Sequence, residues 1–220
     1  MTVRALAFDA YGTLFDVHSV VEAINAHFPD KGPELSEIWR VKQLEYTWLV
    51  TLMDRYQPMW ALTRASLTYA MKRLDLAPDE SVIDTLMQRY LNLQPYPEVV
   101  EALRALRGRH RAIFSNGNPE MLKPVVQNGG LASVLDDLIS VEPVRVFKPS
   151  QRAYRYAEQQ LGVPAEQVLF VSSNAFDVAG AKAFGFQVAW INRAHGQLEE
   201  LGIQPDHVVS TLSGIAELLD

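Results

Sequence analysis

The chain has 220 residues, a formal net charge of −6 and no cysteine. The last point excludes disulfides, thiolate metal sites and cysteine nucleophiles, and with no basic block, nucleic acid and anionic membranes are not expected as partners. An apolar content of 48% suits a globular protein with a sizeable core, and no run approaches the roughly 18 apolar residues of a membrane span. Arg4 and the short run after it meet Asp9 too soon for a signal peptide, so a cytoplasmic protein is expected.

Along the chain, residues 3–8 form a near-continuous apolar run ending at Asp9, the mark of a parallel strand covered on both faces. The interval 17–93 offers no convincing strand, but amphipathic stretches at 35–56 and 60–74 read as a helical insertion. Pro95 and Pro97 then stiffen the return at 91–97. Apolar runs at 112–114, 138–141, 168–171, 188–191 and, more weakly, 207–209 predict further strands. Helical patterns at 97–106, 120–128, 151–161, 177–184 and 213–219 lie between and after them. This alternation implies an α/β fold with a doubly wound, Rossmann-like parallel sheet. The expected division is a core of residues 1–16 and 94–220 with a helical cap of residues 17–93 inserted after the first strand.

Each strand end carries residues with chemistry. Asp9 stands just past the first strand, where open α/β sheets bind ligands; it is either a nucleophile or, with Gly12, plain turn chemistry. The second strand runs into Ser115-Asn116-Gly117-Asn118-Pro119-Glu120. Asn118 suits an N-cap and Pro119 the first helical position, so the loop is either a turn or an anion site of backbone amides with Ser115 adding a hydroxyl. Lys148 precedes Pro149, which biases it to an extended conformation; it is either solvated or a cation keeping Asp9 ionised. The fourth strand leads into Ser172-Ser173-Asn174-Ala175-Phe176-Asp177, where Asn174 and Asp177 could equally form a capping interaction. In the insertion, Arg40 lies among Trp39, Tyr46 and Trp48, on a solvated stripe or as a weakly hydrated anion acceptor beside apolar walls. The five histidines show neither metal-ligand spacing nor a triad motif with Ser115.

Four motifs in this order, with this insertion, resemble the L-2-haloacid dehalogenase branch of the haloacid dehalogenase superfamily over nearly the whole chain. Phosphatases of that superfamily carry Asp-x-Asp at the first strand and acidic magnesium ligands after the fourth; here Tyr11, Ser173 and Asn174 stand instead. The resemblance implies hydrolysis of short 2-haloalkanoic acids to 2-hydroxy acids with inversion, through an ester on Asp9, with no metal or other cofactor. It assigns Lys148 to sustaining the Asp9 anion and Thr13 to supporting it. Ser115 and Asn116 would bind the substrate carboxylate, and Arg40, with Tyr11 and Asn116, the halide. Asp177, oriented by Ser172 and Asn174, would activate water. Tyr154, a turn after Lys148, either reaches the site or is a core aromatic. Phe176 stands where relatives often have tryptophan, and Met59-Trp60 where they commonly have Phe-Trp, so the apolar wall departs from the pattern. The implied partners are the haloacid, the halide and a second copy in a homodimer. A phosphatase or phosphotransferase on the same fold, or a non-catalytic binding protein, are the alternatives; the first conflicts with Tyr11 and the second with the surviving polar set.

Overall fold

The computed structural model describes residues 2–219. Its first strand, β1 (Ala5–Phe8), is buried along its whole length, which is why four apolar residues in a row occur there. The chain then passes through a region of helices alone: a 3-10 turn at Val17–Val20, then α1 (Val21–His27), α2 (Gly32–Leu52), α3 (Met59–Arg73) and α4 (Glu80–Tyr90). Of these, α2 and α3 match the two amphipathic stretches, while α1 and α4 were not singled out. Helix α2 ends at Leu52 rather than near residue 56, because Asp54 takes a left-handed φ of 52°. Helix α4 is capped by Asp79, whose carboxylate accepts from the backbone N–H groups of Ser81 and Val82.

After α5 (Val99–Ala105) the chain alternates β2 (His110–Ser115), α6 (Pro119–Asn128), β3 (Asp137–Ser140), α7 (Gln151–Leu161), β4 (Val168–Ser172), α8 (Ala175–Phe184), β5 (Gln187–Ile191), β6 (His207–Val209) and α9 (Gly214–Leu219). The six strands pair in parallel in the order β3-β2-β1-β4-β5-β6. Every strand predicted from the apolar runs is present. Phe8, the last residue of β1, is level with Ile113 of β2 and Val171 of β4. The loops after β1, β2 and β4 therefore meet at one edge, where the strand order reverses and side chains can converge on a ligand.

The segments leaving and re-entering the sheet run side by side. Asp16 N–H donates to Gln94 O at 2.9 Å and Tyr96 N–H to Leu14 O at 3.0 Å. The helical region also touches the sheet loops directly: Trp60 N–H donates to Asn118 Oδ1 at 3.0 Å, and Phe147 N–H to Thr51 Oγ1 at 3.1 Å. No described helix is long and apolar enough to cross a membrane.

Candidate active site

Asp9 follows β1 with 5% of its surface exposed, and three donors hold its carboxylate. Thr13 Oγ1 and Asn174 Nδ2 donate to Oδ2 at 3.0 and 2.6 Å, and Lys148 Nζ donates to Oδ1 at 2.9 Å. Lys148 is itself 1% exposed and reaches further, to Asp177 Oδ2 at 2.5 Å and to the Phe114 carbonyl at 3.1 Å. The remaining oxygen, Asp177 Oδ1, accepts from Tyr154 OH at 2.6 Å. The result is a buried Asp9–Lys148–Asp177 triad in which each carboxylate oxygen already has a donor. A pair of buried anions is tolerable only with such compensation.

Burial presses on each of these groups. For Lys148 it opposes the charge, but the two carboxylates outweigh it and hold the ammonium above the ordinary lysine range. For Asp177, burial and then the charge on Asp9 win over Lys148 and push its pKa up to about 6. Burial, with Asp177 next, raises the Tyr154 phenol well above its ordinary value, so it stays a donor.

The loop after β2 folds inward. Ser115 Oγ accepts from Gly117 N–H at 3.0 Å, and Asn116 Oδ1 accepts from Lys148 N–H at 2.9 Å. Tyr11 packs over this loop: a Cβ on Gly117 would lie 2.9 Å from Tyr11 Cε2, so only glycine lets the ring approach so closely. The Tyr11 ring stacks on Tyr90 at 5.7 Å, and its hydroxyl is buried without a hydrogen-bond partner among the described residues. Burial holds that phenol well above its ordinary pKa.

Arg40 comes down from α2. Its Nη2 donates to Tyr11 O at 3.2 Å and Asn174 Oδ1 at 3.3 Å, and its Nη1 to Gln43 Oε1 at 2.8 Å. It is half-buried and anchored, not on a solvated stripe. A cavity of about 420 Å³ opens beside it, lined by Gly12, Tyr96, Asn174, Trp190 and Arg193 among others.

Several expectations require correction. Ser172 and Asn174 do not orient Asp177: Ser172 Oγ accepts from Asn174 N–H at 3.1 Å, Asn174 turns to Asp9, and the Asp177 carboxylate is held by Lys148 and Tyr154. The capping interaction between Asn174 and Asp177 is therefore absent, because a charge-assisted bond to a buried carboxylate is stronger than a neutral cap. Asn118 occupies the N-cap position of α6 but likewise does not cap it; its side chain accepts from Trp60 N–H and donates to Glu120 at 2.6 Å. Tyr154, by contrast, reaches the site as one of its two readings had it, through Asp177. Phe176 is half-buried and meets Trp48 of α2 edge-on at 5.4 Å, lining a groove separate from that over Arg40. Met59 is buried at the start of α3, and Trp60 lines another cleft with Pro58 and Leu91.

Sequence reasoning also missed residues. Gln43 is fully buried and takes bonds from both Arg40 and Tyr90 OH, the latter at 3.1 Å, while its Nε2 donates to Thr63 Oγ1 at 2.7 Å. Its spacing three residues after Arg40 was the available signal. Arg193 follows β5 at the same sheet edge and bonds to the loops after β1 and β4; its place past a strand's carboxyl end was the clue.

A family model for haloacid dehalogenase-like hydrolases matches residues 3–185. The chain belongs to that family. Among haloacid dehalogenase-like hydrolases it is 47% identical over 220 residues to the (S)-2-haloacid dehalogenase of Pseudomonas sp. (strain YL), covering 99% of this chain and 95% of that one. It is also 47% identical to haloacetate dehalogenase H-2 of Moraxella sp. (strain B), over 99% of this chain and 98% of the relative. Its fold superposes with a TM-score of 0.95 on L-2-haloacid dehalogenase from Xanthobacter autotrophicus with chloropropionic acid covalently bound, at 42% identity, covering 99% and 98% of the two chains.

Proposed function

We propose that this protein hydrolyses short 2-haloalkanoic acids to 2-hydroxy acids with inversion, through an ester on Asp9. The observation that carries this reading is the setting of Asp9. Its oxygens accept from Lys148, Thr13 and Asn174, and the side chain two residues on is a buried phenol held protonated. A phosphatase needs an acid there to protonate a leaving oxygen; a departing halide needs none. Nor do the residues present suit a divalent cation, since Tyr11, Ser173 and Asn174 offer a phenol, a hydroxyl and an amide where carboxylates would be needed to balance its charge.

An Asp9 oxygen attacks C2 opposite the carbon–halogen bond, forming the C–O bond as halide leaves with its electron pair. Arg40 and the unpartnered Tyr11 hydroxyl receive that anion, with Asn116. The Ser115 hydroxyl and the backbone amides ahead of α6 hold the substrate carboxylate. Water then attacks the Asp9 carboxyl carbon. Asp177 takes one proton from it, and the product leaves with the former Asp9 oxygen as its hydroxyl, protonated by the other. Burial still raises Asp177, but esterification removes the charge on Asp9, the other cause of the rise, so Lys148 favours Asp177 as an ionised base when water must be activated. Lys148 sustains Asp9 in the first step and Asp177 in the second; Thr13 and Ser172 brace the loops, and Tyr154 holds Asp177. Residues 17–93 serve as a cap domain over a core of 1–16 and 94–220, bringing Arg40 to the site. Met59, Trp60 and Phe176 act at the cap–core boundary.

The protein works as a homodimer in this reading, paired through the outer face of α2, where Val41, Leu49, Leu52 and Met53 are exposed apolar residues.

The test of the mechanism is the fate of the water oxygen. In a single turnover with excess enzyme in heavy-oxygen water, the label enters the Asp9 peptide and the first hydroxy acid is unlabelled. Label in that first product, with none on Asp9, would move Asp9 to the role of general base.

A further inference from the structure

We infer that Arg193 is a positioning residue for the nucleophile, acting at once on the loops after β1 and β4. The inference rests on Asp9 being the nucleophile. Arg193 is carried past the end of β5, and its guanidinium makes three connections. Nη2 donates to the Thr13 carbonyl at 3.0 Å, Nη1 donates to Ser173 Oγ at 3.0 Å, and Nε and Nη2 donate to Glu98 Oε1 at 3.2 and 2.8 Å. The guanidinium carbon also lies 3.9 Å from the Tyr96 ring centroid, a cation–π contact that arginine favours over lysine.

The two loops it joins are those that aim Asp9. Thr13 donates through Oγ1 to Asp9 Oδ2 and accepts at the same atom from Ser173 N–H at 2.9 Å. The next residue, Asn174, donates to the same Asp9 oxygen. Thr13 and Asn174 therefore fix where Oδ2 points, and Arg193 sets the spacing between the backbones that carry them. Glu98 and Tyr96 belong to the segment by which the chain returns from the helical region, so the clamp also ties Asp9 to that return. Glu98 is well placed to hold the guanidinium: burial pushes its carboxyl up, but the bond and charge of Arg193 together with backbone N–H donors outweigh it and keep the carboxyl below the ordinary range. Arg193 touches no reacting atom in the proposed mechanism. Its effect is on geometry, where a displacement of about 1 Å costs on the order of 100-fold in rate.

Two variants and one cycle test this. Arg193→Lys keeps the charge but cannot span Thr13, Ser173 and Glu98 together. It is expected to lower kcat with 2-chloropropionate by about 10- to 100-fold, with KM within about threefold. Glu98→Gln leaves the bonds to Thr13 and Ser173 available and should cost less than about threefold. In a Thr13→Val background, where the relay to Asp9 is already cut, Arg193→Lys should lose most of its effect on single-turnover ester formation. The inference is overturned if Arg193→Lys retains wild-type kcat, if it fails to fold, if Glu98→Gln is as damaging, or if the full Arg193→Lys factor persists in the Thr13→Val background. A wild-type enzyme that releases no halide would instead overturn the proposed function itself.

Discussion

Tyr154→Phe tests Asp177 as the base of the proposed second step. The variant keeps the ring, which packs on Phe114, Phe170, Phe184 and Phe186, and removes only the hydroxyl that donates to Asp177 Oδ1 at 2.6 Å. That bond stabilises the ionised carboxylate, so deleting it raises the Asp177 pKa. A hydrogen bond to a charged group contributes about 1.5–3 kcal/mol, and each pKa unit is 1.36 kcal/mol. From about 6 in the free enzyme, the variant's Asp177 moves to about 7–8. With Asp9 esterified, the wild-type base titrates at or below about 6 and is ionised at neutral pH. Because esterification lowers Asp177 in the variant too, its ester should decay at most about tenfold more slowly at pH 7, with the slowing growing as the pH falls and vanishing near pH 9. The assay is acid-quenched single turnover, following the mass of the alkylated Asp9 peptide against pH. An unchanged decay profile, or a slowing that is the same at every pH, would refute the assignment of Asp177 as the base.

Three further outcomes are expected. Lys148→Met leaves two buried carboxylates without their cation, a loss of about 3–5 kcal/mol, so the melting temperature should fall by about 6–20 °C and no Asp9 ester should accumulate at pH 7; ester formation at the wild-type rate would deny Lys148 its role. Arg40→Ala should slow halide release in a single turnover by about 100- to 1000-fold, read with a halide electrode in a stopped-flow mixer. Leu52→Glu places a charge on the exposed face of α2 and should shift the mass measured by light scattering from dimer to monomer; an unchanged mass would place the interface elsewhere.

The inner strands β1, β2, β4 and β5 were legible because strands buried on both faces are written as near-continuous apolar runs, while the edge strands β3 and β6 are partly exposed and left a weaker mark. The helical region was legible as a class but not element by element: α4 buries Ile83, Leu86, Met87 and Tyr90 at helical spacing, yet within a long interval without strands that stripe did not stand out. The residues around Asp9 were legible by type and place, but their partners were not. Asn118 and Asn174 show why. Each occupies an N-cap position, and local chemistry predicts that each caps its own helix. Instead Asn174 answers Asp9 and Asn118 answers Trp60, 165 and 58 residues away. Local rules rank local partners and cannot weigh a charge or an unpaired N–H that tertiary folding brings alongside. Arg193 is the extreme case, with partners 20, 95 and 180 residues distant.

In the proposed mechanism the arrangement lets one lysine serve both chemical steps. In the free enzyme, Lys148 faces two carboxylates, and Asp177 is a reluctant anion because it is completely buried and feels the charge on Asp9. Once Asp9 becomes an ester, the ammonium has a single anion left to stabilise. Its attraction, no longer divided, lowers Asp177 when a base is required. No side chain has to move for this exchange of roles, since Lys148 already bonds to both carboxylates at 2.9 and 2.5 Å. An acid at position 11 would add a third titrating carboxyl close to Asp9 and compete for the same ammonium; a phenol held protonated does neither.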